Sequence, residues 1–401
     1  MKIFEKLSGI LLIFLPFGCA DKFLDVPPYS QYSSNFVETR EGAEAVLNSA
    51  YKGLLLIGDA GVNRIYVEES TTDVFVNFRG LLYGNLQPIL DFTWAPSHIY
   101  IQDFWRRNYQ TIRDANILIE FLPNHPVLSD TQKAQMLAEM YFVRGLAYFY
   151  LYGWFGPVPL VTTSTDELFK GRPSDEDIRS LIESDLLAAA SGLSNEAPAY
   201  GRATKGAAWG VLAQYYLQTK QWAKADDAAQ QVINLGIYDL WPDVRTLFAL
   251  NNERNSEMIY AAPAIAMQGF GNVWAANALP PGYPTPTMNT ATQVCVPLAF
   301  YNTFQEGDQR RELILSGYTN NNGNRVDLTT GNEFQNPRSL KYPLDPEQQE
   351  RHGGADFPIV RYAEILLIKA EASVMAGGNI ADGLGYLNRI RERANLEGYD
   401  L

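Results

Sequence analysis

The sequence predicts a mainly α-helical fold of stacked helix pairs that carries a large loop-rich region with few short strands. Three observations support this prediction. Residues 202–236 have the spacing of a helical repeat unit, residues 131–152 and 360–394 show helical apolar periodicity, and residues 237–357 are rich in Gly, Pro, Asn and Thr. A single helix pair cannot bury its apolar face alone, so we expect the pairs to stack side by side.

The helix pair at 202–236 fits the tetratricopeptide repeat. The spacing W-x2-L-G-x2-Y of its first helix is matched by Trp209, Leu212, Ala213 and Tyr216. Ala225 falls where the second helix needs a small residue to approach the first, and Lys220-Gln221 forms the turn between them. The sequence therefore predicts a tetratricopeptide-like pair here.

The remaining elements follow from periodicity and from residues that stop helices. Gly377-Gly378 divides the last helical segment into two helices. A strand is expected near Met258–Ala262, where the pattern is weak. The other predicted helices cover residues 41–56, 101–121, 131–152, 360–376 and 382–393.

The N-terminus reads as an export signal that ends at a cysteine. Two lysines precede a short apolar run at 10–15, which is too short to span a membrane, a task that needs about 20 residues. Gly18 directly before Cys19 is typical of a lipoprotein signal peptide. We predict cleavage after residue 18 and acylation of Cys19. The alternative is an ordinary signal peptide with an incidental cysteine.

Composition excludes several functional classes. Hydrophobic residues make up 46% of the chain and charged residues 19%, which is typical of a globular protein. The formal net charge of −13 argues against nucleic acid or anionic lipid head groups as ligands. Cys295 is the only other cysteine, so a lipidated chain has no partner for a disulfide. The three histidines lack the spacing of a metal site, and no metal or other cofactor is expected.

Four segments resemble the SusD/RagB family of glycan-binding outer-membrane lipoproteins of Bacteroidota. The first runs from Cys19 through Phe-Leu-Asp-Val to Pro27, and the second is an Arg-containing aromatic helix closed by Phe155-Gly-Pro-Val-Pro-Leu160. The others are Arg202–Ala207, which leads into the repeat pair, and Pro358–Ala372, followed by Leu387–Ala394. Their order and spacing cover nearly the whole chain.

The resemblance implies one domain over residues 19–401, with a helical frame at about 36–236 and 358–394 and a ligand region at about 237–357. It also implies a non-catalytic protein anchored by lipid at the outer membrane, facing the exterior. Its partners would be a glycan and a TonB-dependent, SusC-like transporter. Family members usually continue beyond the position of Ala394, whereas this sequence stops at Leu401, so the last helix is expected to lack a packing partner.

Loop-borne aromatic residues are the candidate glycan platforms, because flat apolar rings accept the C–H faces of sugars while nearby amides and guanidinium groups reach the hydroxyls. Each ring could instead be a core residue, which is the interpretation we favour for Trp105, Trp154 and Trp209 within helices. The candidate glycan-binding residues are Trp94, Tyr100, Trp274 and Tyr283, with Asn77, Arg79 and Asn272 as polar partners.

Two other functional classes remain as alternatives. Glu68, Glu69 and Asp73 form a dense acidic cluster of the kind a glycoside hydrolase would need, although we favour a solvated acidic turn as its explanation. We expect no catalysis. The second alternative is a tetratricopeptide adaptor that binds a peptide or protein in a groove between helices.

Overall fold

A computed structural model of the protein describes residues 34–55, 59–78, 80, 82–167, 169–285, 290, 294–332 and 335–400. Two residues of the sequence predictions, Cys19 and Arg79, lie outside these described residues.

The described residues form a mainly helical structure with short strands, which confirms the predicted fold class. The helices are α1 Ser34–Val37, α2 Arg40–Leu55, α3 Asp59–Ser70, α4 Tyr83–Leu90, α5 Ile99–Phe121, α6 Asp130–Phe155, α7 Asp175–Gly192, α8 Lys205–Gln218, α9 Trp222–Asn234, α10 Trp274–Ala278, α11 Leu298–Tyr301, α12 Tyr362–Met375 and α13 Ile380–Arg393. The strands are β1 Met258–Ala262, β2 Ile314–Leu315, β3 Gly317–Thr319, β4 Arg325–Asp327, β5 Arg338–Ser339 and β6 Phe357–Arg361.

Helix α6 lies at the centre of the frame, packed against α2, α5 and α7. It begins with a capping box in which the side chains of Ser129 and Gln132 each accept a hydrogen bond from the backbone of the other. It ends one turn later than predicted, because Gly153 continues the helix and Gly156, with a φ of 66°, ends it. Most of its residues from Met136 to Leu151 are buried.

The tetratricopeptide-like pair is present as α8 and α9. The Thr204 hydroxyl caps α8 by accepting a hydrogen bond from the backbone N–H of Ala207, 3.1 Å away. Lys220 adopts a φ of 56° in the turn, and Ala225 is completely buried where the two helices meet. The structure thus confirms the predicted turn at Lys220 and the predicted small residue, Ala225, at the contact between the two helices.

The C-terminal helix pair, α12 and α13, packs on α9 through α12. Strand β6 precedes α12 directly and pairs antiparallel with β1, the strand predicted at 258–262. This pairing joins residues that are about a hundred positions apart. It ties the region rich in turns, which contains the small sheets β2–β5 and β3–β4, to the helical frame.

Helices α3, α4 and α7 were not predicted. Helix α4 contains Pro88, which ordinarily argues against a helix. Helix α7 carries its own capping box, formed by Ser174 and Asp177, and lies along α6. A Cβ atom on Gly145 would lie only 2.9 Å from Cγ of Leu186, so the glycine permits this close approach of α6 and α7.

A buried ion pair connects α6 to α7. Arg144 donates from Nε and Nη2 to the two carboxylate oxygens of Asp185 over 2.7 and 2.8 Å, and both side chains are buried. Arg144 Nη1 also donates to the side-chain oxygen of Asn116 in α5, 2.8 Å away. One guanidinium therefore connects three helices with bidentate geometry.

Replacing Arg144 by methionine should lower the free energy of unfolding by about 3–5 kcal/mol, because the Asp185 carboxylate would stay buried without its counter-ion. Chemical denaturation measures this loss. Arg106→Met is the matched control on α5: it removes an exposed ion pair with Asp103 and should change stability by less than about 0.5 kcal/mol. Equal losses in the two variants would show that the buried pair is no more important than the exposed one.

Candidate functional site

A large cavity lies between the helical frame and the region of turns. Its volume is about 1320 Å³. Its walls come from α3, the C-terminal end of α6, α8 and α12, together with residues from the segments around Phe248, Trp274 and Lys341. A concave site of this size is the usual place to search for a ligand.

An exposed aromatic pair stands where the cavity wall meets solvent. Phe92 and Trp94 follow the end of α4, with 65% and 41% of their surfaces exposed and their ring centroids 5.7 Å apart. Phe92 adopts a φ of 56°, in the left-handed region that non-glycine residues seldom enter. Trp94 belongs to the cavity lining. Two adjacent exposed rings indicate a binding surface.

His98 caps the start of α5, just after the segment that carries Phe92 and Trp94. His98 Nδ1 accepts a hydrogen bond from the backbone N–H of Tyr100, and its Nε2 lies 2.7 Å from the carbonyl oxygen of Asn85 in α4. These contacts connect the end of α4 to the start of α5 around the segment that carries Phe92 and Trp94. These hydrogen bonds therefore fix both ends of the segment that carries the exposed rings of Phe92 and Trp94.

Trp274, predicted as a loop platform, is a packed residue at the start of α10. It is 7% exposed, and its ring centroid lies 5.9–6.5 Å from those of Tyr66, Phe75 and Tyr342. Its indole N–H donates to the carbonyl oxygen of Ser339 over 3.3 Å. The ring is packed because aromatic neighbours from distant parts of the chain cover it. Trp274 does line the cavity, as does Trp94.

Three other predicted residues have their side chains in the frame and expose little surface. Tyr100 is buried in α5, where its hydroxyl accepts a hydrogen bond from the Asn85 amide. Asn272 is buried and holds the backbone on both sides, donating to the Ala355 carbonyl and accepting from the Trp274 N–H. Asn77 is buried as well.

Tyr283 lies apart from this cavity. Its ring is half-buried beside Tyr318, with centroids 5.5 Å apart, near the β3–β4 hairpin. The structure therefore brings Trp94 and Trp274 to one cavity and leaves Tyr283 outside its lining. Phe92 was missed by the sequence analysis, although it stands two residues before Trp94 in the same break between helices.

The acidic cluster is divided between the cavity and the surface. Asp73 is exposed, whereas Glu68 and Glu69, at the end of α3, line the cavity and do not form a solvated turn. Glu68 is fixed by Arg64, 2.9 Å away, and by the indole N–H of Trp154 at 3.2 Å. Burial raises the pKa of Glu69, whose carboxylate has no hydrogen bond or ion pair within the described part of the chain.

Cationic side chains line the cavity as well, and the sequence analysis missed them. Arg361 and Arg393 both pair with the buried carboxylate of Glu257, at 2.7 and 2.6 Å. Burial, together with the nearby Arg361 charge, lowers the pKa of Lys341 to about 8. Only the fold reveals this group, because its members come from residues 257 to 393.

Among the described residues, no group of His, Cys, Asp or Glu side chains is arranged to hold a metal ion. Within the same part of the chain, no helix combines the length and apolar character that crossing a bilayer requires.

Comparison with family models places most of this chain in one family. Residues 22–217 match a model described as "Starch-binding associating with outer membrane", and residues 274–401 match a model described as "SusD family".

Curated relatives are similar along nearly the whole chain. SusD-like protein P25 of Formosa agariphila is 26% identical, covering 98% of this chain and 82% of the relative. Starch-binding protein SusD of Bacteroides thetaiotaomicron is 24% identical, covering 78% of this chain and 66% of the relative.

Solved structures share the fold. A laminarin-binding SusD-like protein superposes with a TM-score of 0.77 at 23% identity, covering 90% of this chain and 85% of the other. Surface glycan-binding protein A from Bacteroides uniformis gives a TM-score of 0.77 at 19% identity, covering 90% and 82%.

The two tryptophans of the cavity should differ in their effect on stability. Trp274→Ala is expected to lower the free energy of unfolding by about 3–5 kcal/mol, because it empties a packed aromatic site. Trp94→Ala removes a ring that is largely exposed and should cost less than about 1 kcal/mol. Urea unfolding of both variants checks this. A large loss in Trp94→Ala would mean that this ring is structural.

Proposed function

Because the chain belongs to the SusD/RagB family, we propose that it is a cell-surface lipoprotein that captures an oligosaccharide or polysaccharide and delivers it to a TonB-dependent, SusC-like transporter without catalysing a reaction. The description of the first matching model, starch binding at the outer membrane, supports the capture step. The predicted acylation at Cys19 would hold the protein at the membrane from its N-terminus.

The observation that carries the proposal is the exposed Phe92 and Trp94 pair at the edge of the cavity. Sugar rings present apolar C–H faces that pack on aromatic rings. A platform that hides about 80 Å² of apolar surface contributes about 2 kcal/mol. Two such platforms provide about 4 kcal/mol, which corresponds to a dissociation constant of about 1 mM for one site.

Groups inside the cavity supply the polar part of recognition. The Glu69 carboxylate lines the cavity and accepts hydrogen bonds from sugar hydroxyls. Trp274 and Tyr342 hold the cavity wall in place by packing against each other.

Affinity gel electrophoresis against a panel of soluble polysaccharides tests capture, with protein that starts after Cys19. The wild-type protein should be retarded by one or a few polysaccharides, and Phe92→Ala and Trp94→Ala should each weaken binding by about tenfold or more, since each loses a platform of about 2 kcal/mol. Phe169→Ala is the matched control, because that ring is 96% exposed and is not part of the cavity lining.

Unchanged retardation in both platform variants would contradict the proposed site. Prolonged incubation with the captured polysaccharide tests the absence of catalysis in the same samples. Release of new reducing ends, abolished by Glu69→Gln, would favour the hydrolase alternative instead.

Cys19→Ala should abolish incorporation of labelled palmitate and move the protein from the membrane fraction to the soluble fraction. Cys295→Ala is the control, because that thiol is buried beside Val76 and should be irrelevant to anchoring. Fractionation of expressing cells gives the result. Membrane association that survives in Cys19→Ala would refute the lipid anchor.

A further inference from the structure

We propose that the part of the cavity around Lys341 and Phe248 is a subsite for the anionic group of an acidic sugar, a carboxylate or a sulfate ester, and that Lys341 binds this group. The inference rests on the proposed function, because it names the class of glycan that the cavity would prefer. It concerns a different part of the site from the aromatic pair at the edge.

Lys341 is the cavity cation without a counter-ion. Among the described residues, no carboxylate lies within 4 Å of its ammonium, which contacts aromatic rings instead, 5.1 Å from the Phe248 centroid and 5.8 Å from that of Tyr342. The other basic groups of the lining are paired. Arg64 pairs with Glu68, Arg310 with Asp308, and Arg361 and Arg393 with Glu257.

A second positive charge stands beside Lys341. The guanidinium carbon of Arg361 lies 5.3 Å from the centroid of the same Phe248 ring. Arg361 and Arg393 share the single carboxylate of Glu257, so this trio carries one excess positive charge. Around Phe248, Lys341 and this trio therefore carry two positive charges that no direct ion pair neutralises, and the carboxyl groups of Glu69 and Glu364 lie across from Lys341.

Two carboxylates, Glu69 and Glu364, also face Lys341 from α3 and α12. Neither is close enough for an ion pair. Glu364 accepts a hydrogen bond from the Gln214 amide over 2.9 Å. Burial raises the pKa of both carboxyl groups and lowers that of Lys341, which shows that all three are poorly solvated.

An anion in contact with Lys341 would make the direct ion pair that Glu69 and Glu364 are too distant to make. A charge-assisted hydrogen bond of this kind is about twice as strong as one to a neutral hydroxyl, so an acidic sugar gains more than a neutral one at this position. The sugar ring can pack on Phe248 while its anionic group reaches the ammonium.

Nuclear magnetic resonance of ¹³C-methylated lysines tests the subsite directly, because reductive methylation keeps the positive charge. The Lys341 signal is identified by its absence in Lys341→Met. At constant ionic strength, galacturonate or galactose 6-sulfate should shift this signal, and galactose should leave it unmoved. The two acidic sugars separate carboxylate from sulfate recognition.

Two results would overturn the subsite. One is a Lys341 signal that neither acidic sugar moves. The other is an equal shift with inorganic sulfate, which would assign the site to free anions and not to sugars.

Affinity gels distinguish failure of this inference from failure of the proposed function. Polygalacturonate and neutral galactan are compared for wild type, Lys341→Met, Lys341→Arg and Trp94→Ala. Loss of the ammonium should weaken binding of the acidic polymer at least tenfold and leave the neutral polymer unaffected, while Lys341→Arg retains the preference. Trp94→Ala should weaken both. If neither polymer is captured, the proposed function loses its support. The NMR titration of the Lys341 signal with the acidic sugars still decides whether the subsite exists.

Discussion

Two opposite charges buried on one helix organise this protein. Arg144 and Glu139 both lie on α6, and each is neutralised by a group from another part of the chain. Arg144 pairs with Asp185 of α7, while Glu139 receives Arg202, over 2.6 and 2.7 Å, and the Tyr51 hydroxyl of α2 at 2.9 Å. A buried charge without its partner costs several kcal/mol, so the neighbouring helices have little freedom to shift along α6.

The position of α6 determines where its aromatic C-terminal end lies. Trp154 stacks on Phe104 of α5 with centroids 3.8 Å apart, and Phe155 meets Trp105 edge-on at 4.9 Å. The indole N–H of Trp154 is then aimed at Glu68, which ties α3 to the same corner. The frame thereby forms one wall of the cavity and supports the start of α5, next to the exposed pair Phe92 and Trp94.

The cavity shows features that stability alone would not select. Lys341 is partly desolvated without a counter-ion, Glu69 has a raised pKa, and Phe92 occupies an unfavourable backbone conformation. Local departures of this kind concentrate at functional sites, where the rest of the fold compensates for them. Lys341 and Glu69 line the cavity, and Phe92 stands beside Trp94 at its edge.

The sequence by itself determined the helical frame, because apolar periodicity and caps are local properties. It predicted α5, α6, the α8 and α9 pair, α12 and α13 to within a few residues, and it singled out Trp94, which proves to be an exposed ring in the cavity lining. It did not predict α4, because Pro88 is unfavourable for a helix unless the surroundings accept it.

Only the tertiary structure decided that Trp274 is packed, that Glu68 and Glu69 face a cavity, and that Lys341 joins Arg361 and Phe248 there. These contacts depend on pairings such as β1 with β6 and Val76 with Cys295, which bring together residues about a hundred or more positions apart. Local sequence patterns carry no information on which distant side chain will cover a given ring or neutralise a given charge.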